Sequence, residues 1–68
     1  MRMTAYRREV LERLADATER LSANQATGGR KSNLRQLQDE GWVKETFVAY
    51  KGFFYEITPA GRQALASN

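Results

Sequence analysis

The hydrophobic period of the sequence changes at Gly41, and this change constrains the fold more than any other feature. Before Gly41, apolar residues recur three or four positions apart, which is the period of a helix with one buried face. After Gly41, two runs rich in aromatic and β-branched residues flank the tetrapeptide Tyr-Lys-Gly-Phe, a pattern typical of a hairpin. The sequence therefore predicts a mainly α-helical domain that carries a small β-hairpin.

The hairpin is predicted from Trp42 to Thr58. Its turn falls on residues 50–53, with Gly52 at a position that tolerates a positive φ. Successive strand residues point to opposite faces, so the return strand divides into Phe53, Tyr55 and Ile57 on one face and Phe54 and Glu56 on the other. We expect the first face to close the core and Phe54 to be exposed on the second.

Helices are predicted on both sides of the hairpin. The first runs from Thr4 to about Leu21, with Thr4 as its N-cap. Residues 22–27 form either a short helix or a loop, because their polar sequence is only weakly periodic. The last helix starts at Thr58-Pro59, with Thr58 as N-cap and Pro59 at the first position, and runs through Leu65.

The helix before the hairpin is predicted from Gly28 to Glu40. Leu34 and Leu37 are its inward residues, and either Thr27 or Ser32 caps its start. Gly41 is the expected left-handed residue just beyond its end.

The composition excludes several kinds of site. The 68-residue chain has no cysteine and no histidine, so a disulfide framework, a thiol nucleophile and a Cys/His zinc site are excluded. No apolar run has the length of a membrane span, and the amino-terminal sequence lacks the apolar core of a signal peptide. We therefore expect one cytoplasmic domain, residues 1–68, that is not an enzyme and uses no metal, cofactor or small-molecule substrate.

The basic residues are unevenly distributed. Eleven basic and eight acidic residues leave a net charge of +3. No acid lies between Ser22 and Gln38, where Arg30, Lys31 and Arg35 are found. A local positive field of this kind attracts polyanions, although by charge alone it is equally typical of an ordinary protein surface.

Two motifs at a fixed spacing carry a family resemblance. The segment LRQLQDEGWV is followed, after the predicted hairpin, by YEITPAGRQAL. Together they resemble the second half of a winged helix-turn-helix domain of the MarR-like and PadR-like regulators. The recurring family pattern is Leu-x-x-Leu-x-x-x-Gly-(Leu/Trp)-Val, a two-stranded wing, and Tyr-x-(Leu/Ile)-Thr-x-x-Gly-x-x-x-Leu. The match extends from Leu34 to Leu65, and it implies the order helix, short helix or loop, helix, hairpin, helix.

The resemblance implies a sequence-specific protein that binds double-stranded DNA and regulates transcription. In DNA-binding members of this fold, the second helix of the motif lies in the major groove. Here that helix is residues 28–40, and the hairpin 42–57 is a wing on the DNA backbone. The residues that the resemblance and the residue chemistry place at the DNA are Gly29, Arg30, Lys31, Ser32, Asn33 and Arg35 on the helix, with Lys44 and Lys51 on the wing.

The chemistry of these residue types agrees with that role. Glycines allow close approach of a phosphate backbone, asparagine pairs with adenine, and arginine or lysine pairs with guanine. Basic residues in the first turn of a helix oppose the helix dipole unless an anion is bound there. The alternative is that Gly28-Gly29 is only a turn and the basic run only a solvated helix face.

The hairpin holds more aromatic side chains than one small core needs. Phe54 and Tyr50 are candidates for a partner interface, either in a homodimer or with another protein. A second functional class therefore stays open. In it, the winged helix is a protein-interaction module or small inhibitor that acts on a protein assembly through its basic helix and aromatic hairpin.

Overall fold

The computed structural model describes residues 2–29 and 34–67. Within these residues the chain forms four helices and one two-stranded antiparallel hairpin, a mixed α and β structure compatible with a small α+β fold. The elements are α1 (Ala5–Asp16), α2 (Ala23–Thr27), α3 (Leu34–Asp39), β1 (Val43–Val48), β2 (Gly52–Ile57) and α4 (Pro59–Ser67). The order of elements is the predicted one.

Helix α1 is shorter than the sequence predicts. Thr4 caps it as expected, because its hydroxyl accepts a hydrogen bond from the backbone N–H of Arg7 at 3.1 Å. The helix ends at Asp16, and Ala17 is already extended, with φ −72° and ψ 136°. The prediction of a helix as far as Leu21 is wrong because the N–H and C=O of Leu21 both exchange hydrogen bonds with Tyr55 of β2.

Residues 22–27, which the sequence left undecided, contain the short helix α2. Its start is a capping box in which Ser22 and Gln25 each accept a hydrogen bond from the other's backbone N–H. Gly28 and Gly29 follow it with φ of +69° and +83°. The prediction that the next helix begins at Gly28 is therefore wrong, since two left-handed residues end a helix rather than start one.

Helix α3 forms the second half of the segment predicted as residues 28–40. Leu34 and Leu37 are buried, as predicted. The helix ends at Asp39, and Gly41 is the predicted left-handed residue, with φ +80°. The chain then turns sharply into β1.

The two predicted N-caps of this helix have different outcomes. Thr27 is the last residue of α2, and its hydroxyl donates a hydrogen bond to the carbonyl of Ala23 at 2.8 Å. Thr27 is therefore not the cap of α3. The other candidate, Ser32, lies outside the described residues.

The hairpin turn is residues 49–51, so the predicted turn at residues 50–53 is wrong: Gly52 and Phe53 already belong to β2, and Gly52 pairs with Val48. The positive φ predicted for Gly52 is confirmed. Gly52 has φ +102°, and Tyr50 in the turn has φ +69°. One face of the hairpin carries the opposed pairs Val43–Ile57, Glu45–Tyr55 and Phe47–Phe53. Since Tyr55 turns its backbone groups outward to Leu21, these three pairs are the non-hydrogen-bonded ones of the ladder, and their side chains lie close together.

The core lies between the helices and the base of the hairpin. Its buried apolar residues come from α1, α2, α3 and both strands: Val10, Leu11, Leu14, Ala26, Leu34, Leu37, Val43 and Tyr55. Thr58 caps α4, as predicted, and accepts a hydrogen bond from the N–H of Gly61 at 3.0 Å. In the described part of the chain, no helix has the length and apolar character needed to cross a bilayer.

Candidate nucleic-acid interface

The candidate site is centred on the segment between α2 and α3. Four of its predicted residues, Arg30, Lys31, Ser32 and Asn33, lie outside the described residues. The structure describes the residues on both sides of them. Gly29 is exposed and left-handed on one side, and Arg35 is exposed on α3 on the other.

The end of α2 and the two left-handed residues that follow it, Gly28 and Gly29 (the glycine turn), are linked to α1 by the Arg13 side chain. Its guanidinium forms an ion pair with Glu9 at 2.8 Å and donates a hydrogen bond to the carbonyl of Ala26 at 3.4 Å. A Cβ on Gly28 would lie 2.7 Å from the same guanidinium. Glycine is favoured at position 28 by its backbone angle, φ +69°. The flexible Arg13 side chain links the end of α2 to α1.

Two side-chain hydrogen bonds tie α3 to its neighbours. Arg7 of α1 donates to the side-chain oxygen of Gln36 at 2.6 Å. Gln38 donates to the carboxylate of Glu45 on β1 at 3.3 Å. Sequence analysis missed these residues because the partners are 29 and 7 residues apart and no local pattern links them. These two hydrogen bonds orient α3, and Arg35 is exposed on its solvent-facing side.

Glu45 places a negative charge beside α3. The hydroxyl of Tyr55 donates a hydrogen bond to the same carboxylate oxygen at 2.8 Å. Burial raises the pKa of Tyr55 to about 12, and the hydrogen bond and charge of Glu45 add to the shift. Tyr55 is therefore a neutral donor across the physiological range, and Glu45, like Asp39 at the end of α3, is an acidic residue that opposes an anionic ligand.

The two predicted wing lysines lie in different surroundings. Lys51 is exposed in the hairpin turn, where its N–H donates to the carbonyl of Val48 at 3.0 Å. Lys44 is exposed on the hairpin face away from Glu45, directly across the ladder from Glu56. The structure therefore does not bring Lys44 to the face that contacts α3, and Glu56 partly offsets its charge.

The exposed aromatic residues are not those that the sequence predicts. Phe54 was expected on the surface, but it is half-buried in an open cleft of about 680 Å³ that Leu14 and Arg62 also line. Phe53 was expected to close the core, but 52% of its surface is exposed, and 62% of Phe47. The hairpin face that carries Phe47 and Phe53 extends beyond the core, so these two rings are exposed. On the opposite face, Phe54 lies in the cleft that residues of α1 and α4 also line.

The second predicted partner residue, Tyr50, is fully exposed in the turn. Its neighbours Phe47 and Phe53 are in ring contact, with centroids 5.1 Å apart and planes inclined by 59°. The sequence did not predict this pair, because the predicted turn at residues 50–53 would set Phe47 opposite Glu56, whereas the observed turn at residues 49–51 sets it opposite Phe53.

In comparisons with known proteins, no protein-family model, curated protein or solved structure matches the chain. Among residues 2–29 and 34–67, no three acidic side chains are grouped as a metal site would require.

Proposed function

We propose that this protein is a winged helix-turn-helix protein that binds double-stranded DNA and regulates transcription. In this proposal α3 lies in the major groove, and the hairpin formed by β1 and β2 is the wing. One observation supports it most strongly. The acid-free stretch 22–38 coincides with α2, the glycine turn and all of α3 but its last residue. The segment without negative charge thus includes both helices that the proposal assigns to the helix-turn-helix.

The exposed chemistry of this segment suits a duplex. Arg35 points away from buried Leu34 and Leu37, so its guanidinium is available to a phosphate or to the edge of a guanine. Gly29 offers an exposed backbone without a side chain beside it. Arg30 and Lys31 lie between them in sequence, and basic residues of this kind attract phosphates and release their counterions.

The hairpin turn adds a second acid-free stretch, from Thr46 to Tyr55, with Lys51 near its middle. A wing needs such a turn, because it lies close to the DNA backbone. Asp39, Glu40 and Glu45 separate the two acid-free stretches in sequence, and Glu45 lies beside α3. With a net charge of only +3, we expect affinity for random DNA in the micromolar range typical of non-specific binding, about 10⁻⁶ to 10⁻⁴ M.

Fluorescence anisotropy of a labelled random duplex, measured over a salt series, tests this function. We expect the logarithm of the binding constant to fall linearly with the logarithm of salt concentration. Arg35→Gln is expected to weaken binding and to make the salt slope shallower by about 0.9, the value of one lost phosphate contact.

Arg62→Gln is the matched control, because it removes the same charge from an exposed position on α4 beside the cleft. It should leave both affinity and slope unchanged. Equal losses in the two variants would mean that only net charge matters, and the assignment of α3 to the groove would be withdrawn.

The protein-interaction module is the second candidate, and the exposed Phe47, Tyr50 and Phe53 favour it. It predicts no duplex binding even at low salt. Capture of a protein partner by the wild type and its loss in Tyr50→Ser would then identify the aromatic turn as the contact.

A further inference from the structure

We propose that Phe47 and Phe53, here called the phenylalanine pair, form a wedge that enters the minor groove, partly unstacks one base step and bends the duplex. This inference rests on the proposed DNA-binding function and adds to it a mode of contact. It gives two apolar side chains of the hairpin a role in bending DNA, in addition to the phosphate contact expected of Lys51.

The geometry of the pair suits a wedge. The two residues are directly opposed in a non-hydrogen-bonded position of the ladder, where side chains lie closest. Their rings are in contact, with centroids 5.1 Å apart, and more than half of each side chain is exposed. Each ring supports the other, so the pair projects as one apolar unit with little conformational freedom left to lose on binding.

The fold does not need these two rings. Val43 and Tyr55 already close the core from the same face of the hairpin, and both are buried. A single exposed apolar residue on a surface is ordinary, but two exposed phenylalanines in contact form a contiguous patch. Such a patch indicates a binding surface.

Charge selects DNA as the occupant. The pair lies within the acid-free stretch 46–55, and the exposed cation Lys51 is in the same turn. Glu45 is the preceding residue on this face, but its carboxylate accepts hydrogen bonds from Tyr55 and Gln38 and lies on the core side of the pair. A cation beside exposed aromatic rings matches a polyanion with stacked bases, and phenylalanine is one of the side chains that proteins insert between base steps from the minor groove.

The position of the pair relative to α3 fits one continuous duplex. Gln38 of α3 contacts Glu45, which is on the same hairpin face as the pair and two ladder positions closer to the core. Helix and wedge therefore lie on one side of the hairpin. A duplex that receives α3 in its major groove meets the pair farther along the same side.

The test measures binding and bending in the same samples. A short duplex labelled at both ends reports its end-to-end distance by energy transfer, and anisotropy of the same duplex reports affinity. With wild-type protein we expect a bend of between about 20° and 90°. The double variant Phe47→Ala/Phe53→Ala should bind about tenfold more weakly, as expected for loss of a stacked ring, and should leave the duplex straight. Its salt slope should be unchanged, because no phosphate contact is removed.

Tyr50→Ala is the matched control, since it removes an exposed aromatic from the same turn without touching the pair; it should bend DNA as the wild type does. Circular dichroism checks that the variants fold. Wild-type binding without a bend, or an equal bend in the double variant, overturns the wedge and leaves the proposed function intact. Failure of the wild type to bind any duplex at low salt overturns both. A wild-type dimer that the double variant abolishes, with bending unchanged, would assign the pair to self-association instead.

Discussion

At the scale of single residues, Glu45 serves the fold and opposes the proposed function. Its carboxylate accepts hydrogen bonds from Tyr55 and Gln38, which tie the hairpin to the core and to α3. The same carboxylate places a negative charge at the surface that is proposed to meet phosphates.

Glu45→Gln is therefore predicted to bind duplex DNA more tightly than the wild type. The amide oxygen can still accept from Tyr55, and the repulsive charge is gone. The gain should be several-fold at low salt and should shrink as salt screens the charges. Glu56→Gln, on the opposite face of the hairpin, is the control and should change affinity little. A gain of the same size in both variants would contradict the placement of Glu45 at the interface.

Tyr55 gives the protein a dependence of stability on alkaline pH. Its pKa is raised from 10.0 to about 12 in the folded state, mainly by burial and then by Glu45. Because the folded pKa lies above the unfolded one, the contribution of Tyr55 to stability is complete below pH 10 and is lost as pH rises toward 12. Urea unfolding at a series of pH values should show a steeper decline in the free energy of unfolding for wild type than for Tyr55→Phe between these limits. Parallel curves for the two proteins would show that folding does not raise the pKa of Tyr55.

The residues of the candidate site were only partly predictable. Arg35 and Lys51 are exposed where the sequence placed them, because helix and hairpin periods decide which side they face. Phe53 and Phe54 exchanged their expected environments. Strand alternation correctly places the two residues on opposite faces of the hairpin. It does not show how far the core extends along each face, or that Phe54 lies in a cleft.

At the scale of elements, the docking of α4 depends on one glycine. Gly61 is buried in the first turn of α4, and a Cβ there would overlap the carbonyl oxygen of Trp42. That carbonyl also accepts the N–H of Thr58 at 3.0 Å, so it cannot move away freely. The joint between α3, β1 and α4 therefore requires close backbone contact at this position.

Gly61→Ala is predicted to destabilise the fold. Overpacking costs about 1–3 kcal/mol, and we expect the upper part of this range because the obstructing atom is backbone. Alanine recovers up to about 1 kcal/mol of helix propensity, so the net loss should remain measurable by thermal or urea unfolding. Ala60→Ser, at the exposed neighbouring position, should change stability by no more than about 0.5 kcal/mol. A variant at Gly61 as stable as wild type would show that α4 can shift without cost.

Element boundaries show where local reasoning ends. The positive φ at Gly52, the stop at Gly41 and the cap at Thr58 were predictable, since each is encoded by the residues at that point. The early end of α1 was not, because Leu21 leaves the helical pattern to pair with Tyr55, a residue 34 positions away in sequence. Gly28-Gly29 was ambiguous, since a glycine pair next to a helical pattern can precede one helix or follow another.

At the scale of the whole molecule, the chain combines a small core with an excess of basic over acidic residues. The described core contains eight buried apolar residues, and the 68-residue chain has no cysteine to staple it. A domain of this size is stabilised when a ligand binds its folded state. The two acid-free stretches and the net charge of +3 support the proposal that this ligand is a polyanion.

The central claim is that α3, the glycine turn and the hairpin tip together meet the duplex, and NMR mapping of backbone amides tests it most directly. Titration of the ¹⁵N-labelled protein with a short duplex should shift the amides of Gly29, Arg35, Phe47 and Lys51, together with those of residues 30–33. Amides of α4 and of the middle of α1 should move little. Shifts centred on α4 and the cleft around Arg62, or no shifts at low salt, would contradict the account.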